Sequence, residues 1–161
     1  MFPLIVVAAG IVGTAFMTAV MWFIHRSGWA NADMIRALGS LITRRYEKSL
    51  APGLALHFTA GCCFAIPYLL IVRSVGTHSF LEIVAICVAM GVFHGAAMSF
   101  VLMALVAENH PVEKFQTAGV EVAAAHIAGH VAYGIGVGIV AALAMRGPET
   151  VTALLALASS G

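Results

Sequence analysis

Residues Val122–Met145 read VAAAHIAGHVAYGIGVGIVAALAM, 24 consecutive residues without an Asp, Glu, Lys or Arg. A helix needs about 20 predominantly apolar residues to cross the hydrocarbon core of a bilayer. The stretch is continuously apolar rather than alternating, which argues against a barrel strand of about ten residues. In lipid each backbone N–H and C=O must be satisfied within its own segment, so such a stretch is an α-helix. Two imidazoles interrupt it, His126 and His130. They are four residues apart and so lie on one face of that helix.

Three further stretches repeat the pattern: Met1–Ile24, Ser49–Val72 and Ile83–Ala107 carry no formal charge. The 161-residue chain is 61% hydrophobic and only 9% charged, against about 25% charged in a typical soluble domain. One small core in water cannot hide that much apolar surface, and a bilayer removes the difficulty. The sequence therefore predicts an all-α integral membrane four-helix bundle in a single domain, 1–161. Its spans are expected over about 2–24, 51–72, 83–107 and 122–145. The first stretch lacks a basic leader and is too long for a signal-peptide core, so it reads as a retained span.

The polar residues between the stretches set an orientation. Arg26, Arg36, Arg44, Arg45 and Lys48 follow the first span and Lys114 joins the last two, while Arg73 and Arg146 fall on the other side. By the bias of short loops the first group is cytoplasmic, which puts both termini outside, in what reads as a bacterial inner membrane. Within the first loop, Met34, Ile35, Leu38, Leu41 and Ile42 recur at helical spacing. They predict a short amphipathic helix over about 32–45 in the membrane interface, capped by Asn31 and with Asp33 in its first turn. Trp22, Trp29 and Tyr46 suggest an interfacial aromatic belt. The apolar segment from Thr150 to Gly161 is too short to span and is expected on the outer surface or against another subunit.

The spans also echo one another. GIVGTAFMT at 10–18 resembles GVFHGAAMS at 91–99, and HFTAGCCFA at 57–65 resembles HVAYGIGVG at 130–138. The chain then consists of two transmembrane hairpins in parallel repeat, related by an axis along the membrane normal. Gly91 with Gly95, Gly134 with Gly138, and Gly61 with Ala65 stand four apart, the spacing that lets helix backbones approach closely in lipid. Taken together, Gly10 to Met17, Asp33 to Ser40, His57 to Tyr68 and His130 to Gly138 resemble a broad group of four-span bacterial inner-membrane proteins of unknown function. The resemblance covers less than half the chain and implies architecture, with no activity attached. His94 and His126 depart from its pattern.

Ionisable residues inside spans are costly and mark functional sites by default. Four qualify: His57, His94, His126 and His130. His94 stands 19 residues before Glu113 and His130 stands 17 after it, so an antiparallel hairpin brings the two to similar depth. His57 is the repeat counterpart of His130. The expectation is a cluster of imidazoles in the cytoplasmic half of the bundle, with His94, His126 and His130 as potential metal ligands and all four as cofactor-binding candidates. Imidazole suits haem iron and transition metals, and it also serves simply as a structural hydrogen-bonding group between helices. Glu108, His110, Glu113 and Glu121 would sit at the mouth and recruit a cation. Glu121 lies about 140° round the helix from His126 and is not a natural co-ligand. Met17, Met21, Met98 and Met103 are either thioether ligands for Cu(I) or core fillers. Cys62, Cys63 and Cys87 form no disulfide framework and read as small hydrophobes.

A Ser-centred elbow, a phosphate loop and a zinc-protease HExxH are all missing from the sequence, and there is no basic stripe for nucleic acid. The first functional expectation is a non-enzymatic membrane subunit or accessory protein, packed against other membrane subunits or itself. A histidine-ligated haem or metal electron carrier is the second. A small oligomeric transporter or channel is the third.

Overall fold

The computed structural model describes residues 1–145. Arg146 and the apolar segment from Thr150 to Gly161 lie outside the described residues. The elements are α1 (Phe2–Arg26), α2 (Met34–Thr43), α3 (Leu50–Val75), α4 (Phe80–Val101), a π-helical extension of α4 (Leu102–Ala107), a 3-10 turn (Glu113–Phe115) and α5 (Val120–Ala144). Four of them, α1, α3, α4 and α5, are long and apolar enough to cross a membrane. The chain is a helical membrane bundle.

α5 is the central helix, and its composition explains why. Gly129, Ala132, Gly134, Gly136, Gly138 and Ala141 are all buried, so its surface is close to bare backbone along two sides. α1 fits one side: a Cβ on Gly136 would stand 2.8 Å from the Cα of Gly13. α4 fits the other: a Cβ on Gly91 would stand 2.5 Å from the carbonyl oxygen of His130. Close approach through small residues is how helices associate in lipid, where burial of apolar surface offers no net drive. The repeated glycines therefore serve the inside of the bundle.

The two hairpins, α1–α3 and α4–α5, are each closed by a glycine of their first helix. Gly10 meets the backbone of Cys62 in the first, and Gly91 meets that of His130 in the second. The correspondence does not extend to the contacts between hairpins. α1 packs along α5, whereas the equivalent pair, α3 and α4, touch at few points and leave a seam.

α2 is docked on the bundle. Its Gly39 lies against the carbonyl of Ser49, and Gly53 of α3 lies against the carbonyl of Ile35, so two backbones meet with no side chain between them. Ser40 is fully buried and returns its hydroxyl to Arg36 O at 2.6 Å. The helix ends at Arg44, a non-glycine residue at φ 54° whose N–H donates to Ser40 O.

The cap differs from expectation. α2 starts after Asp33 with no side-chain cap bond. Asn31 instead donates from Nδ2 to Lys114 O at 2.8 Å, tying the first loop to the loop before α5. Asp33 accepts from the Tyr46 hydroxyl at 2.8 Å. Tyr46 is therefore a loop hub, with Arg36 at 4.8 Å and Lys114 at 4.6 Å from its ring centre. Trp22 and Trp29 face outward, as belt residues do.

Candidate functional site

Glycines hold α4 against α5 right beside the imidazoles, Gly91 at His130 and Gly95 at Ile127, and open space remains on the side of α5 that faces α2 and α3. The space left is a cavity of about 130 Å³. His57, His94, His126 and His130 all line it. Three helices supply them: α3 gives His57, α4 gives His94, and α5 gives the pair one turn apart. All four sequence candidates thus come together, in the half of the bundle nearest α2.

Their geometry is close. The rings of His94 and His130 stand 4.5 Å apart, edge to face, and those of His126 and His130 5.8 Å apart. His57, His126 and His130 are buried, at 8%, 5% and 7% exposure, and His94 is half-buried. His130 Nδ1 lies 2.8 Å from His126 O. A carbonyl only accepts, so Nδ1 carries the proton and Nε2 of the neutral ring keeps its lone pair. His94 Nδ1 lies 3.3 Å from the Tyr68 hydroxyl. Nε2 of His94 is buried without a hydrogen-bond partner, while His126 is turned to the backbone of Val122, one turn earlier on α5. Buried polar atoms are nearly always paired, and an orphan ring nitrogen at the edge of the cavity marks a place that an added polar group would complete.

The rings meet one another rather than a common point. Among the described residues, no three His, Cys, Asp or Glu side chains are set to hold a metal ion together. Apart from Thr14, the remaining lining is apolar or aromatic, including Met17, Met98, Phe64 and Tyr133. Met103 points outward, and Met21 is buried against Gly129. Cys62, Cys63 and Cys87 are free thiols, with Cys87 buried and Cys63 exposed.

Toward the opposite end the cavity is blind. Tyr133 donates its hydroxyl to Gly61 O at 2.6 Å, joining α5 to α3 across the bundle. Beyond it Leu69, Val72, Ile83, Cys87 and Val137 have no exposed surface.

The α2 end is covered rather than sealed. Met34 and Leu38 of α2 form part of the wall. A neighbouring cavity of about 120 Å³ shares Met34, Leu38, Met98 and His126 with the first, and also meets the π-helical turn through Leu102 and Val106. Single π turns recur at functional sites because they re-aim side chains. His110, expected at the mouth as a cation-recruiting group, is instead 2% exposed. Its Nε2 lies 3.1 Å from Ala37 O and its Nδ1 takes the Val112 N–H at 3.1 Å, so it pins α2 to the loop after α4. Glu108, Glu113 and Glu121 are exposed and outside both cavities.

Sequence reasoning overlooked Thr14, Phe64 and Tyr68. Thr14 and Phe64 line the cavity, and Tyr68 holds His94. Tyr68 stands eleven residues after His57 in the same span, three turns along the same face, which was the available signal. Phe64 and Thr14 gave none. The apolar stripe of α2 was visible, but not that Met34 and Leu38 turn it toward the histidines.

A family model described as a family of unknown function (DUF6789) matches residues 3–152. No curated protein and no solved structure matches the chain.

Proposed function

The chain belongs to this family of unknown function, and we propose that it is a non-enzymatic integral membrane protein whose task is to bind a small ligand in the histidine-lined cavity. One observation carries the reading. Four imidazoles from three helices line one cavity inside an apolar bundle, with the buried Nε2 of His94 unpaired. Burying four polar rings in lipid is costly unless their hydrogen bonds are completed, and a ligand completes them.

The closed end favours binding over conduction, since a channel needs a path through the tightly packed Leu69, Ile83 and Val137 layer. The accessory-subunit reading draws no support from the glycines, which are occupied within the bundle. Ligation of a haem or metal by His94, His126 and His130 would require the rings to turn from one another toward a shared centre.

We place the α2 end in the cytoplasm of a bacterial inner membrane. Arg26, Arg36, Arg44, Arg45, Lys48 and Lys114 gather at that end, with Arg73 at the other, and short basic loops stay inside.

Native mass spectrometry of protein released from its own membranes tests the binding reading. The expected result is one retained small molecule or ion per chain, lost in the His94→Leu/His130→Leu double variant. An unliganded mass, together with no thermal shift from haem, transition metals or small apolar ligands, contradicts it.

A further inference from the structure

The pocket's walls also say from which side a ligand comes and what head it carries. α1 packs closely on α3 and α5, and α4 on α5, whereas α3 meets α4 and α5 at few points. The cavity reaches the seam between α3 and α4: Ala60 and Phe64 line it from α3, His94 and Met98 from α4. Phe64 is the cover, with its ring 4.4 Å from that of His94 and 41% of its surface exposed on the outside of the bundle. The Phe64 ring stands between His94 and the outside of the bundle.

The donors and acceptors inside fit one hydroxyl. His130 offers a lone pair at Nε2, because its Nδ1 proton is committed to His126 O. The Tyr68 hydroxyl, 3.3 Å from His94 Nδ1, can donate or accept; with Tyr68 as the donor, the His94 proton stands at the unpaired Nε2. A ligand oxygen that donates to the first and accepts from the second satisfies both, and a hydroxyl does so where a carbonyl cannot. The surrounding edges are aromatic, from Phe64, Tyr133 and the imidazoles, which favours an aromatic ring as the body that bears the hydroxyl. The cavity, about 130 Å³, is close in size to one of roughly 150 Å³ known to hold a benzene ring. It takes a single ring, and the seam between α3 and α4 offers a tail a way out to the bilayer.

Resting on the binding reading above, we propose that the ligand is a lipid-soluble phenol, quinols included, which enters sideways from the bilayer between α3 and α4 and hydrogen-bonds through its hydroxyl to His94 and His130. No bond to carbon is made or broken.

The test uses the full chain in lipid nanodiscs with three probes: 4-octylphenol, octylbenzene and phenol. 4-Octylphenol is expected to raise the melting temperature saturably while octylbenzene does not. His94→Phe should weaken its apparent Kd roughly tenfold, the loss of about one hydrogen bond. Ala60→Trp, which adds bulk on the α3 side of the seam, should weaken 4-octylphenol more than phenol. Equal effects of 4-octylphenol and octylbenzene overturn the hydroxyl contact. Binding of phenol with none of 4-octylphenol overturns entry from the bilayer. If 4-octylphenol fails while the native protein still carries a ligand by mass, only this inference falls. If no ligand is found by either route, the binding reading falls with it.

Discussion

His130 is held by His126: the Nδ1 of one lies 2.8 Å from the carbonyl oxygen of the other, one turn earlier on α5. This bond fixes both the tilt of the His130 ring and its tautomer. It turns a helix carbonyl, which in lipid can find few other partners, into the element that aims an acceptor nitrogen at the cavity. Nitrogen-15 NMR of histidine-labelled protein in nanodiscs should show His130 as a neutral ring protonated at Nδ1. A proton on Nε2 would remove the acceptor.

The α4–α5 seam leaves no room for a methyl group at its closest point. Gly91→Ala places a carbon 2.5 Å from His130 O, and backbone cannot yield as a side-chain tip can. A loss of about 1–3 kcal/mol is expected for such overpacking. Ala96, on the exposed face of the same helix, should accept leucine with little change. Steric-trap unfolding in bilayer mimetics compares the two, and equal effects would contradict the packing argument.

Tyr133 is the strut that closes the blind end of the cavity. Tyr133→Phe keeps the ring and deletes the bond to Gly61 O. The expected cost is about 1 kcal/mol, the range of interhelical hydrogen bonds in membranes. The more telling readout is water access. Hydrogen exchange of the His57 and His130 side chains should accelerate, and an unchanged rate would show that the tyrosine seals nothing.

His110 fastens α2 over the second cavity through Ala37 O. His110→Ala should loosen that end of α2 without unfolding the spans. Maleimide labelling of Leu38→Cys, at a position that lines both cavities, should quicken in the His110→Ala background. Labelling at the same rate would mean that α2 is held by its glycine contact with α3 alone.

Arg44 ends α2 at φ 54°, a left-handed conformation that costs an L-residue with a side chain about 1–2 kcal/mol. Glycine is the usual residue there. Arg44→Gly is expected to raise stability by about 1 kcal/mol, observed as slower exchange of the last amides of α2. Faster exchange would imply that the arginine side chain makes up for its own strain.

The sequence showed the bundle plainly because lipid imposes a coarse rule: long neutral stretches between charged loops leave little else to form. The imidazole cluster was legible for a related reason. His126 and His130 share a face by helix period, and equal distances from the α4–α5 loop bring His94 level with His130. The seam between α3 and α4 was not legible, since pairwise repeats suggest equal packing of the two hairpins, and the close contacts of Gly13 with Gly136 and of Met21 with Gly129 are what hold α1 on α5. The fate of α2 was hidden as well. An amphipathic stripe says that a helix has an apolar face, whereas Gly39 against Ser49 and Gly53 against Ile35 decide what that face covers. Asn31 had the chemistry of a helix cap, and a carbonyl 83 residues away took its proton instead.

The most direct measurement is an experimental structure of the protein taken from its own membranes, with density examined among His57, His94, His126 and His130. The account predicts non-protein density within hydrogen-bond distance of His94 Nε2 and His130 Nε2. Imidazoles collapsed onto one another, with the space between them filled by neighbouring side chains, would contradict it.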